Sequence, residues 1–232
     1  NESFTLNRMR IYGSATYLNR FRAFAEYIDA SQFHNSLPAL PIDVNRSDLL
    51  NAFGEVRLLK TKNDSETWLR VGRQELFYGA QRTISPLDWA NTRRTFDGVN
   101  LVTRGKTWDM DLFWTRPVLV FPTSYDQDDQ SQWFAGAATK YKGIENQTIM
   151  PYFLILREED VIPANRVGAG GANSTVFTAG LEWQGSKDDL LWDIEGAYQF
   201  GDYGNRDLIA GFVAAGLGHK FSNLPWSPSA WM

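Results

Sequence analysis

The chain has 232 residues, a formal net charge of −4, no cysteine and 14% aromatic residues, among them nine tryptophans. This inventory excludes disulfides, thiol catalysis and cysteine-ligated zinc, and it supplies no basic excess to neutralise nucleic-acid phosphates. The longest nearly unbroken apolar run, LIAGFVAAGLG from Leu208, falls well short of the roughly 20 residues a membrane helix needs.

From Phe4 to Tyr17 the sequence alternates, with Arg8 and Arg10 on one side and Met9, Ile11 and Tyr17 on the other. A period of two predicts a strand with one polar and one apolar face. The next run sets Arg20, Arg22 and Glu26 against Phe21, Ala23, Ala25 and Tyr27. SQFHNSLPALPIDVNRSD follows, and its prolines and turn formers predict an irregular connection. In LLNAFGEVRLLK, Asn51, Glu55 and Arg57 oppose Leu50, Ala52, Val56 and Leu58.

After the short polar turn TKNDSET come WLRVGRQELFYG and TFDGVNLVTRG, both rich in strand-forming residues. They are joined by AQRTISPLDWANTRR, a long connection too charged to be buried without partners. Within WLRVGRQ, Leu69 and Val71 are expected on the apolar face, which sends Arg73 outward unless a bulge at Gly72 changes the phase. The block GRQELFYGAQR, followed by Trp89, Asn91, Arg94, Phe96, Asp97, Gly98 and Val99 in the pattern W-x-N-x-x-R-x-F-D-G-V, closely resembles the alginate-export family of outer-membrane β-barrels. The resemblance implies a barrel of about eighteen strands in the cell outer membrane, within the size range such barrels span. It also implies passage of an anionic uronate polysaccharide, and it places Arg73, Gln74, Arg82, Arg94 and Asp97 in the family's characteristic motif.

RGKTWD turns into MDLFWTRPVLVF, where Trp108, Met110, Leu112 and Trp114 oppose Asp109, Asp111 and Thr115. PTSYDQDDQSQ reads as a long acidic loop. QWFAGAATKYKG, QTIMPYFLILREED, STVFTAGLEWQG, LLWDIEGAYQFG and DLIAGFVAAGLGHKF complete the series. The clearest of these sets Trp192, Ile194, Tyr198 and Phe200 against Asp193, Glu195 and Gln199. GAGGAN in the preceding connection lacks the strand-to-helix setting of a dinucleotide site.

The fold class expected is therefore all-β, an antiparallel up-and-down transmembrane β-barrel of about eleven strands within one domain spanning 1–232. Single-chain bacterial barrels have even strand numbers, and lipid leaves no edge unpaired. The odd count, with WSPSAWM reading as the opening of another strand, predicts part of a larger barrel. Lipid contact and interfacial girdles are expected at Tyr17, Tyr27, Trp108, Trp114, Trp183, Trp192 and Tyr198.

Catalytic chemistry has little to work with. His34 and His219 are the only histidines, which argues against a two-histidine metal site or a nucleophilic triad, and no cofactor, metal or catalytic residue is expected. The pairs Asp109/Asp111 and Asp193/Glu195 read as solvated walls rather than a glycosidase dyad. Arginines carry the stronger signal, because guanidinium groups hold carboxylates in bidentate pairs and stay charged. Candidate pore-lining or anion-binding residues are Arg8, Arg10, Arg22, Glu26, Glu55, Arg57, Arg73, Gln74, Arg82, Arg93, Arg94, Asp97, Asp193 and Glu195. The carboxylates among them would fix arginine rotamers and keep a passing polyanion from being trapped. The expected partners are membrane lipid, an anionic polysaccharide or small anions, and periplasmic or outer-membrane proteins, with no nucleic acid. A general porin, a barrel anchoring a larger assembly, and a soluble all-β carbohydrate-binding protein with exposed tryptophans are alternative readings of the same pattern.

Overall fold

The computed structural model describes residues 4–34, 38, 40–62, 64–161, 172–204 and 206–232; the glycine-rich stretch 162–171 lies outside them. The strands are β1 (Thr5–Tyr17), β2 (Phe21–Phe33), β3 (Asn45–Lys60), β4 (Glu66–Gln74), β5 (Phe96–Arg104), β6 (Trp108–Leu119), β7 (Gln127–Asp128), β8 (Gln132–Tyr141), β9 (Gln147–Val161), β10 (Ala172–Lys187), β11 (Leu190–Tyr203), β12 (Arg206–Lys220) and β13 (Ser229–Trp231). No helix occurs among the described residues. The strands pair in sequence order as one unclosed sheet, with β7 beside β6 and off the main path. Eleven long strands follow the expected series. The two short ones, β7 and β13, bring the total to thirteen; β7 lies in the stretch expected to be a continuous loop, where it pairs Leu119 with Gln127.

Two compact units share this sheet: Asn1–Leu59, Trp68–Leu101 and Phe113–Trp133 form the first, and Lys60–Thr67, Val102–Leu112 and Phe134–Met232 the second. In the first, β1 and β2 pair through all thirteen residues, with Tyr17 opposite Phe21 and Thr5 opposite Phe33. Their turn is tight: Leu18 and Asn19 both have φ of 51°, and the Arg20 amide donates to the Tyr17 carbonyl at 3.0 Å. Positive φ at both central residues of this turn gives a backbone twist that matches the flanking strands, and Arg20 completes a three-residue connection between Tyr17 and its partner Phe21. Partners opposite each other share a face, so Arg8, Arg10 and Tyr12 lie with Ala30, Ile28 and Glu26, while Met9, Ile11 and Tyr17 lie with Asp29, Tyr27 and Phe21. The apolar side is open, with Ile11 60% exposed.

Two features differ from the simple alternation. The β2–β3 register shifts between Glu26 and Tyr27, where Asn51 and Leu49 are the successive partners and Leu50 is the extra residue. Leu50 is therefore not on the open apolar face; it is buried with Ile28 and Ala30 in a small cluster. Strand β4 also ends at Gln74 rather than running on through ELFYG. At Gly72 φ is +128°, and beyond Gln74 the Glu75 amide donates to the Asn51 side chain at 3.0 Å instead of continuing the ladder.

In the second unit, β9 to β12 form an uninterrupted meander. Phe153, Phe177 and Phe200 stack across three strands on one face, at 6.2 and 5.3 Å between ring centroids. Met150, Tyr152, Leu154, Thr178, Glu182, Glu195 and Ala197 are buried on the other. On β12 both faces are apolar, and Ile209 and Val213 are 75% and 82% exposed. Hydrophobic exposure of that extent is costly in water and favourable in hydrocarbon.

Candidate functional site

The polar face of the first unit carries a ladder of arginines tied together by two buried glutamates. Arg10 Nε donates to Glu26 Oε1 at 2.7 Å, and Asn51 Nδ2 donates to Glu26 Oε2 at 2.9 Å. Glu55 sits between two strands' arginines, with Arg22 Nε 2.8 Å from Oε2 and Arg70 Nη2 2.8 Å from Oε1. Burial alone would make these carboxylates costly, but each accepts charge-assisted hydrogen bonds that offset their desolvation. Aromatic rings hold the guanidiniums from the other side. Arg22 lies 4.0 Å from the Trp68 ring centroid, Arg57 5.6 Å from the same ring, and Arg70 4.3 Å from Phe53. Such cation–π contacts fix the long side chains as well as attract them. Neither Arg70 nor Trp68 was among the residues singled out from the sequence. Their position opposite the apolar Leu69 and Val71 is the signal by which the sequence places them on the polar face.

The connection from 75 to 95 is laced to the start of β1, the end of β2 and the segment between β2 and β3. Asn91 Nδ2 donates to the carbonyls of Asn7, Ser31 and Asp43 at 3.2, 3.4 and 2.8 Å, and Thr92 Oγ1 donates to Pro41 at 2.8 Å. Arg8 Nη1 donates to the Ala90 carbonyl at 2.9 Å. Arg93, almost fully buried, pairs with Glu75 and Asp88. Leu76, Ile84 and Ala90 of the same connection are buried. Arg82 is also engaged with a neighbour. Arg94 differs: it has no acidic partner among the described residues, and partial desolvation lowers its pKa from the ordinary arginine value.

Arg73 is held by two oxygens of one carboxylate, Nε to Asp97 Oδ1 and Nη2 to Asp97 Oδ2, both at 2.9 Å, and Nη2 also reaches the Asp126 carbonyl at 3.1 Å. Gln74 is fully buried, its Nε2 near the carbonyls of Gly72 and Gly98 at 3.4 and 3.5 Å. Both glycines abut neighbouring backbone, so that an added Cβ would stand 2.3 Å from the Ala52 oxygen at Gly72 and 2.3 Å from the Trp114 oxygen at Gly98. This explains the glycines of the sequence motif as close-approach positions rather than ligand contacts. Asp126 joins the network through Asn45 Nδ2 at 2.6 Å, and its own amide donates to Asp48 at 2.6 Å. Desolvation raises the Asp126 pKa, reinforced by nearby Asp48 and opposed by hydrogen bonds from the Phe121 amide and Asn45 and by the charge of Arg73.

In the second unit the acidic side chains gather on β10 and β11, on the face opposite the stacked phenylalanines. Glu182 and Glu195 face each other across β10 and β11, both buried. Tyr152 Oη donates to Glu195 at 2.7 Å, and Gln184 Nε2 lies 2.6 Å from Glu182 and 3.4 Å from Asp193. Of the expected girdle, Trp108 packs on Tyr141 at 4.6 Å, and Trp108, Trp114, Tyr17, Trp183 and Tyr198 are exposed. Tyr27 donates its hydroxyl to Ser47 at 3.0 Å. Trp192 lies on the apolar face but is only 9% exposed, with Trp183 edge-on at 5.4 Å.

A family model described as alginate export matches residues 1–232. No curated protein matches the chain.

Proposed function

The chain belongs to the alginate-export family, an outer-membrane β-barrel family concerned with polysaccharide transport, and on that premise we propose that it forms part of a passive channel for an anionic polysaccharide. The observation that carries this reading is the arginine ladder of Arg8, Arg10, Arg22, Arg57 and Arg70 on one face of β1 to β4, interleaved with Glu26 and Glu55. Fixed cationic groups lower the energy of a polyanion in a polar lumen. Carboxylates shared between neighbouring arginines keep each site weak enough to release it. The open apolar faces fit contact with lipid. The free edges of the sheet, β1 and β13 at its two ends, fit closure by further strands, because unpaired backbone groups cost several kcal/mol each, on the order of 2–7, in hydrocarbon.

The test is conductance in planar bilayers. The reading expects an anion-selective pore whose current is reduced by a uronic-acid polymer added to one side. Loss of anion preference is expected when Arg22 and Arg70 are both replaced by glutamine. A pore indifferent to polyanions, or a protein that forms no pore, refutes it.

The acidic groups Glu182, Asp193 and Glu195, which share one face of β10 and β11, support a second reading as a general porin. On that reading the same experiment gives little ion preference and no block by the polymer.

A further inference from the structure

Beside the arginine ladder, a cavity of about 450 Å³ is lined by Arg10, Tyr12, Phe24, Glu26, Asn51, Phe53, Arg70, Glu75 and Phe77. Its composition is not that of an anion site alone. Tyr12, Phe24 and Phe53 stack one upon the next across β1, β2 and β3, at 5.8 and 5.2 Å between centroids and with interplanar angles of 25° and 20°. Arg70 caps the far end of this stack over Phe53. The near end is open: Tyr12 is 71% exposed, and Phe77, on the segment after β4, is 61% exposed. Phe77 is held close to its position by its neighbour Tyr78, which stacks on Phe113 at 5.8 Å.

The charges around these rings are already matched. Glu26 is paired with Arg10, and Glu75 with Arg93. Asn51 is engaged at both ends of its amide, donating to Glu26 and accepting from the Glu75 amide. A ligand entering here meets an exposed aromatic surface bordered by charge-balanced donors and acceptors, an arrangement poor at holding a bare anion. It suits a molecule with an apolar C–H face and a rim of hydroxyls. A few placed polar groups around an apolar wall are the general anatomy of a small-ligand site, and the volume falls in the usual range.

We propose that Tyr12 and Phe77 form a stacking subsite for one pyranose ring, with Arg10, Asn51 and Glu26 at its hydroxyl rim. The ligand class rests on the transport reading above; the site recognises the ring rather than its charge. A chain passing along the ladder would then be registered sugar by sugar through its ring faces, while the arginines act on any carboxylates it carries.

Calorimetric titration of the detergent-solubilised chain with two oligosaccharides of equal length, one of uronic acids and one of neutral glucose, tests this directly. Both are expected to bind. Tyr12→Ala and Phe77→Ala should each weaken both by roughly three- to tenfold, the worth of one aromatic contact, while the opposite-face control Ile11→Ala leaves binding unchanged. Equal circular-dichroism spectra establish that the variants are folded. Binding of neither sugar, binding of the uronic oligomer alone, or alanine variants that bind like the parent would each overturn the subsite. Bilayer recordings on the same samples judge the channel reading separately: a pore without ring binding sinks only the subsite, and ring binding without a pore sinks only the channel.

Discussion

Glu55 is the most informative single position, because its one carboxylate serves two arginines from different strands. Its side chain is 3% exposed, against 43% for Arg22 and 24% for Arg70. Glu55→Gln preserves shape while removing the charge, so two guanidiniums are left facing a neutral amide. A pair of unit charges 4 Å apart is worth about 4 kcal/mol at an effective dielectric of 20. Both arginines are partly solvated and retain their aromatic partners Trp68 and Phe53, so most of that gross term is screened. Subtracting the relieved desolvation of Glu55 as well, the expected net loss is about 1–3 kcal/mol. Equilibrium urea unfolding in detergent measures it as a lowered midpoint with unchanged slope. A double-mutant cycle with Arg22→Leu should give a coupling of about 1 kcal/mol. The same variant should shift the bilayer reversal potential toward anions. A change below about 0.5 kcal/mol together with unchanged selectivity would show that Glu55 does not organise the ladder, and the reasoning would fail.

Gly72→Ala should be more damaging, because the new Cβ would stand 2.3 Å from the Ala52 oxygen at a φ of +128°. A loss of about 2–4 kcal/mol is expected, read as a lower urea midpoint, whereas Gly13→Ala, with open space around it, should be nearly neutral. Removing the three-way donor with Asn91→Ala should cost about 1–3 kcal/mol and loosen the 75–95 connection, so limited proteolysis should cleave there faster than in the parent. For Asp126, the folded pKa is raised, so the folded chain holds this proton more tightly than the unfolded one does. Its effect on stability is therefore full below the ordinary carboxylate range and is lost as pH rises through the raised value. Asp126→Asn should flatten that part of the pH–stability curve without lowering stability near neutral pH. A steeper pH dependence in this variant would refute the assignment.

The periodicity of two was legible residue by residue because a strand places alternate side chains on opposite faces whatever lies beside it. It yielded the eleven long strands, the pairing of Arg8 and Arg10 on one face, and the apolar row through Met9, Ile11 and Tyr17. What alternation cannot encode is a break in register. The extra residue at Leu50 turned a side chain expected in lipid into a buried one beside Ile28 and Ala30, and the Glu75 amide bonds to the Asn51 side chain just where β4 stops. Partner choice was equally hidden. Arg70 meets Glu55 from 15 residues away, Arg73 meets Asp97 from 24, and Asn91 reaches Asn7 from 84. Local sequence thus determined which residues share a face. Only the stacking of neighbouring strands and the docking of their long connections decided which charges neutralise one another, since those distances arise from the pairing register of the whole sheet and not from spacing along the chain.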